Sequence, residues 1–221
     1  MLDYIRWSSQ EIITLFIQHM QISGLSLLIA VLIALPLGFL LSKSKLAATI
    51  ILPVLSVMYT IPSLALFALL IPLVGLGMKS AVIALVGYSL LILARNVMVG
   101  FHSVDPATVE AGKGMGLNVW QMFFNIELPL ALPVILGGIR IAAVSIIGIA
   151  TIASWINAGG LGVMLFQGLS QNNVPEIIWG TIFVALLAII VNVVLSRLEK
   201  AALARSKGER IIERKKRRKI F

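Results

Sequence analysis

The feature that most limits what this chain can fold into is the stretch from Ile22 to Leu41, which carries no charge at all. At 1.5 Å per helical residue its length is about 30 Å, the thickness of a bilayer's hydrocarbon core. Further runs of the same kind follow. Leu46 to Met78 is charge-free, Ile177 to Ser196 is charge-free, Ser80 to Val99 contains only Arg95, and Leu128 to Ser154 contains only Arg140. The composition agrees: 59% of the 221 residues are apolar and 12% charged, against about 45 to 50% and about 25% in soluble domains. A soluble globular protein is excluded, and roughly five or six spans fill the chain without leaving room for a large extramembrane domain. The reading is an all-α polytopic membrane protein with about five transmembrane helices.

Charge distribution orients those helices. Of 18 Lys and Arg residues, 11 lie in 197–221 with three Glu, so that tail carries +8 of the net +9. A basic tail after an apolar span predicts a cytoplasmic end and a contact with anionic lipid; it lacks the interleaved aromatics of a nucleic-acid tail, and no nucleic-acid partner is expected. Ser42-Lys43-Ser44-Lys45 places the end of the first span on the same side. Five spans then put the N-terminus outside and the C-terminus inside. The chain divides into an N-terminal amphipathic segment (1–20), expected as an interfacial helix, a transmembrane domain (21–196) and the basic cytoplasmic tail (197–221).

Within the domain the expected spans are 22–41, about 50–70 with a kink at Pro62, 80–99, 128–154 and 177–196. Gly75-Leu76-Gly77 predicts an outer turn, and Gly159-Gly160-Leu161-Gly162 with Gln171-Asn172-Asn173 an outer connection that is partly re-entrant. The remaining polar segment is the loop 101–128. Asp105-Pro106 starts a short helix, since an Asp cap satisfies free amides and proline gives up no needed bond at the first helical position. Glycines 112, 114 and 116 break it, and Asn118 with Gln121 three residues on starts another. This second helix is expected to stop before Pro129. Two short helices on a glycine hinge make a rigid protrusion suited to receiving force from a soluble partner.

In that loop, Glu110-Ala111-Gly112, three residues, Gly116, nine residues, then Ile126-Glu127-Leu128-Pro129 resembles the EAA loop of permease subunits of binding-protein-dependent ABC importers. The chain departs from the pattern where Gly112 stands for alanine. The resemblance implies that Glu110, Ala111, Gly112, Gly116, Ile126, Leu128 and Pro129 form the element that couples to an ATP-binding subunit dimer. It also implies a second identical or homologous permease, an extracellular substrate-binding protein and a bacterial cell membrane. Thr60-Ile61-Pro62-Ser63-Leu64-Ala65-Leu66 and Ala158-Gly159-Gly160-Leu161-Gly162 look like the osmoprotectant branch, which takes up glycine betaine, carnitine or choline; methionine-importer permeases are the nearest competitor.

Other chemistry finds little support. No G-x-x-x-x-G-K-[ST] occurs, so the chain cannot hydrolyse ATP alone; the expectation is a transport subunit rather than an enzyme, with no cofactor of its own and with ATP and Mg held by a partner ATPase. Without cysteine, and with His19 and His102 far apart, no metal site is expected. An ion-coupled secondary carrier, the rival class, normally places carboxylates within the membrane, whereas all nine acids lie outside the expected spans. Arg140 is the one charge expected at depth, with a structural or pathway role. Tyr59, Tyr88 and Trp155 offer cation-π surfaces to a quaternary ammonium or serve as interfacial anchors, and Pro62 is a hinge or a packing point.

Overall fold

The computed structural model describes residues 9–207; the first eight residues of the amphipathic segment and most of the basic tail lie outside them. Helix α1 (Ser9–Lys43) is followed by α2 (Lys45–Thr60), α3 (Ser63–Val74) and α4 (Met78–His102). The loop contains α5 (Pro106–Gly114) and α6 (Val119–Met122). A π-helical turn at Phe123–Glu127 leads into α7 (Leu128–Ala153), a 3₁₀ turn at Ser154–Ile156, α8 (Gly162–Ser170) and α9 (Val174–Ser206). Among the described residues four helical stretches are long and apolar enough to span a membrane, and α2 with α3 makes a fifth if the bent pair is one span.

Helix α4 lies centrally, packed most extensively on α1 and α7, and α9 covers the other side of α7. Between these helices hydrophobicity offers no driving force, because lipid is as apolar as leucine, so close packing of small residues holds them together. Ala30 and Ala34 of α1, Ala81, Ala84 and Ala94 of α4, and Ala142 and Ala150 of α7 are all buried. Glycines bring backbones closer still. A Cβ on Gly38 would fall 2.5 Å from that of Val97, and one on Gly138 would fall 2.3 Å from that of Asn96. Leucines such as Leu28, Leu32 and Leu73 point outward, as lipid-facing residues do.

Four boundaries differ from the sequence reading. Residues 9–20 are the opening turns of α1 itself and not a separate interfacial helix. The expected kink at Pro62 is a break, with α2 and α3 meeting at 98°. The helix begun at Asn118 does not stop before Pro129. It runs on through the π turn, whose wider ring lets proline enter a continuing helix without a clash against the preceding turn. The last helix continues ten residues beyond Ser196, carrying Glu199 along its length.

The expected turn at Gly75-Leu76-Gly77 forms. Gly75 and Gly77 take φ of +89° and +100°, a region that L side chains avoid, and the Gly77 amide donates to the Ile156 carbonyl at 2.7 Å. Helix α8 packs so tightly on α7 that a Cβ on Gly162 would lie 1.9 Å from the Thr151 carbonyl oxygen. His19 is fully buried. Its Nε2–H donates to the Ile147 carbonyl at 3.1 Å, because a carbonyl can only accept. The adjacent Gln18 Oε1 accepts from the Gly160 amide at 3.1 Å, so α1 fastens both α7 and the glycine turn that follows it.

Candidate functional site

Two places gather most of the residues singled out in the sequence: a hairpin at one end of the bundle and an elbow where α2 meets α3.

The hairpin is built by local signals. Asp105 Oδ1 accepts from the Ala107 amide at 2.9 Å and Pro106 occupies the first turn of α5. At the far end Asn118 and Gln121 complete a reciprocal capping box, each side-chain oxygen accepting from the other's amide at 2.9 Å. Between them the chain reverses at Gly116, whose φ of +77° lies in the left-handed region. Its Leu117 amide donates to the Gly112 carbonyl at 3.2 Å.

The motif residues divide into two sets. Glu110, Ala111 and Gly116 are exposed on the outer face of the hairpin. Gly112 is buried, and a Cβ there would meet Ile126 Cδ1 at 2.6 Å and Met122 Cε at 2.8 Å. The departure from alanine at this position therefore has a packing consequence: α5 sits lower on the second helix than a methyl group would allow. Ile126 packs inward on Gly112, and Leu128 joins the cluster of Val97, Val104, Ala131 and Ile135. Pro129 is exposed in the first turn of α7. Thus Ile126 and Leu128 hold the hairpin in place, while Glu110, Ala111 and Gly116 are free to be touched.

Contacts invisible in the sequence fix the hairpin to the bundle. Lys43 Nζ, at the end of α1, pairs with Glu127 Oε1 at 2.8 Å and lies 5.2 Å above the Phe39 ring. Phe39 meets Phe101 at 5.0 Å and Phe123 at 5.1 Å, both edge to face. One aromatic group thereby joins α1, α4 and the π turn. His102 Nε2–H also donates to the Ser42 carbonyl at 2.9 Å. The basic cluster after the first span carried the hint of Lys43, but nothing local pointed to Glu127 as its partner.

The elbow lies where α2 breaks into α3. Tyr59 is partly exposed and Tyr88 buried, with ring centroids 6.0 Å apart and edge to face. The Tyr88 hydroxyl donates to the Ile61 carbonyl, one of those freed by the break at Pro62. Tyr88 is ten residues into α4 and Tyr59 near the end of α2, so the break sits about 15 Å along α4 from its start. Non-helical backbone within a span is tolerated only where protein buries it or water lines it. Trp155 stands apart in the 3₁₀ turn, 64% exposed, and makes no ring contact with either tyrosine among the described residues.

Arg140 is not a lone deep charge. Its Nε pairs with Glu199 Oε2 at 2.9 Å, and its Nη1 donates to Asn192 Oδ1 at 3.4 Å, both on α9. Gly137 clears space for that carboxylate, since a Cβ there would lie 3.4 Å from Glu199 Oε1. The pair joins the middle of α7 to the last third of α9.

Fold and hairpin together define a multi-pass α-helical membrane component with a short helical hairpin at one end. Comparison with known proteins narrows this. The chain belongs to the binding-protein-dependent transport system inner membrane component family, which matches residues 22–207. It is 42% identical to the carnitine transport permease protein OpuCB of Listeria monocytogenes over 82% of this chain and 84% of that one. It is likewise 42% identical to the osmoprotectant import permease protein OsmW of Salmonella typhimurium, over 84% and 89%. Among solved structures, the inward-facing MetNI methionine ABC transporter superposes with a TM-score of 0.79 at 21% identity, covering 91% of this chain and 99% of that one; at that identity the likeness speaks for the fold alone. The protein is a permease subunit of an ABC importer, working with a separate ATPase and other subunits, and not an enzyme.

Proposed function

We propose that this permease carries an osmoprotectant quaternary amine, such as glycine betaine, carnitine or choline, into the cell by alternating access. The observation that carries the substrate class is the 42% identity, over most of both chains, with relatives named for carnitine and osmoprotectant transport. The elbow supports it. Tyr59, exposed at the break and set edge to face on the buried Tyr88, offers an aromatic face that attracts a cation without requiring a carboxylate there, and the positive charge of Arg140 is neutralised by Glu199.

In this reading the hairpin end is cytoplasmic, with the N-terminus outside and the C-terminus inside, as Lys43, Lys45 and the basic tail favour. Each ATP-binding subunit of a dimer receives Glu110, Ala111 and Gly116 in a groove, with ATP and Mg bound on that partner. Closure of the ATPases pushes on α5. The Lys43–Glu127 pair and the phenylalanine cluster pass the movement to α1 and α4 as one rigid body. A second identical or homologous permease covers the exposed face of α2 and α3, and an extracellular binding protein delivers the substrate at the outer turns. Reconstituting the complex in liposomes tests this. ATP-dependent uptake of labelled carnitine, choline or glycine betaine is expected, and uptake of methionine alone refutes the substrate class while leaving the family intact.

A further inference from the structure

Where α1 passes the hairpin, Leu35, Pro36, Phe39, Phe101, Val119, Trp120, Phe123 and Leu128 enclose an apolar groove of about 500 Å³. It offers almost no polar surface, and water needs two to four polar partners to reside in such a space. Val119 and Trp120 are 83% and 73% exposed, so the groove is open at its side. Against it lies a second pocket of about 300 Å³ that shares Phe39, Val119 and Phe123 and adds Lys43, Lys113 and Glu127. Among the described residues Lys113 has no ion-pair partner. Lys43 has three donors and uses one on Glu127.

We propose that this paired cavity is a binding site for one anionic phospholipid of the leaflet at the hairpin end. The groove holds an acyl chain and the second pocket holds the phosphate between Lys113 and Lys43. Depth argues for lipid over a peptide or a small solute. Leu35 is eight residues before Lys43, or about 12 Å along α1, close to the ~15 Å of one leaflet's hydrocarbon. The apolar part therefore lies where acyl chains are the solvent, and the lysines lie at the level of the headgroups. Charge argues for an anionic headgroup: two lysines against one glutamate leave the polar pocket at +1, a surplus that an anionic phosphodiester neutralises and a zwitterionic lipid leaves uncompensated. Trp120, stacked on Phe124 at 6.2 Å, occupies the interfacial position that tryptophan favours.

The test uses the whole transporter complex in nanodiscs containing a phosphatidylglycerol with a photoactivatable acyl chain, and the same probe as phosphatidylcholine. Peptides carrying Pro36 and Trp120 are expected to label with the anionic probe in preference to the zwitterionic one, while the lipid-facing Ile189–Ile190 stretch of α9 labels equally with both. Lys113→Gln should cut the anionic preference about fivefold, the worth of one basic residue near a charged surface. Leu35→Trp, which fills the groove, should abolish groove labelling in complexes that still recover their ATPase. Equal labelling by the two probes, or a preference untouched by Lys113→Gln, overturns the headgroup assignment. Label on α9 with none in the groove shows that protein covers it and overturns the site.

Discussion

Two glycines in the hairpin, two residues apart, should respond in opposite ways to the same methyl group. Gly116 has φ +77° with nothing within 4 Å of a built Cβ, and Gly114 closes α5 with equally open space. Contacts inside the chain therefore decide neither case, and the backbone decides both. Alanine at 116 must adopt the left-handed region at about 1–2 kcal/mol, which shifts the equilibrium between this hairpin and any relaxed alternative by roughly 5- to 30-fold. Alanine at 114 keeps ordinary helical backbone and gains at most about 0.5–1 kcal/mol, the mid-helix advantage of alanine over glycine. The turn itself is closed by one capping box and the Leu117–Gly112 hydrogen bond, so a shift of that size is comparable to what holds the turn. In liposomes containing the complex, substrate moved per ATP hydrolysed should fall about fivefold or more for Gly116→Val and stay within about twofold for Gly114→Ala. Gly116→Asn should lie between, since asparagine tolerates the left-handed region. Equal coupling for Gly116→Val and Gly114→Ala would falsify the assignment of force transmission to this turn.

Other perturbations follow from the same geometry. Arg140→Ala strands Glu199 between α7 and α9; thermal unfolding of the detergent-solubilised protein should show a loss that Glu199→Ala partly restores, with a coupling of about 0.5–3 kcal/mol between the two sites, and simple additivity refutes the pairing. Gly162→Ala forces a methyl group to 1.9 Å from the Thr151 carbonyl, so it should destabilise by about 1–3 kcal/mol or more and lower the yield of assembled complex; normal yield and melting refute the tight α7–α8 contact. Tyr59→Phe should retain most uptake of a quaternary amine and Tyr59→Leu should raise KM about fivefold, from about 1 kcal/mol for a cation over an aromatic face; equal uptake by the two variants removes the elbow from the path.

What the sequence revealed and what it hid follow a physical line. The caps at Asp105 and Asn118 were legible because a cap bonds to amides two or three residues away, and the same held for the turn glycines at 75 and 77. Span positions were legible because apolar length is set by the bilayer and not by tertiary context. Pro129 misled because its effect depends on the hydrogen-bond ring around it: in an α-helix it ends the run, and in a π turn it does not. Pro62 marked the right place, but proline fixes φ at one residue and leaves the bend angle to the contacts on either side, here the Tyr88 hydroxyl on the Ile61 carbonyl. The ion pairs Lys43–Glu127 and Arg140–Glu199 were illegible for a stricter reason, since each joins residues that only the packing brings together.

Those hidden pairs bear on how force would cross the molecule. A docking helix transmits movement only if it is stiffer toward the bundle than toward its own hinge. The exposed motif residues Glu110, Ala111 and Gly116 supply the surface, yet stiffness comes from the residues that the motif spacing does not explain. Gly112 lets α5 seat on Met122 and Ile126, Leu128 sinks into the cluster around Val104, and Lys43 with Phe39 ties the π turn to α1. Since the Lys43 side chain is half exposed, its ion pair alone is worth only about 0–1 kcal/mol, and the aromatic contacts must carry the larger share. Phe39→Ala should therefore weaken coupling more than Lys43→Met does, measured as substrate moved per ATP. The reverse order would place the transmission in electrostatics and make coupling sensitive to salt, which a packed aromatic joint is not.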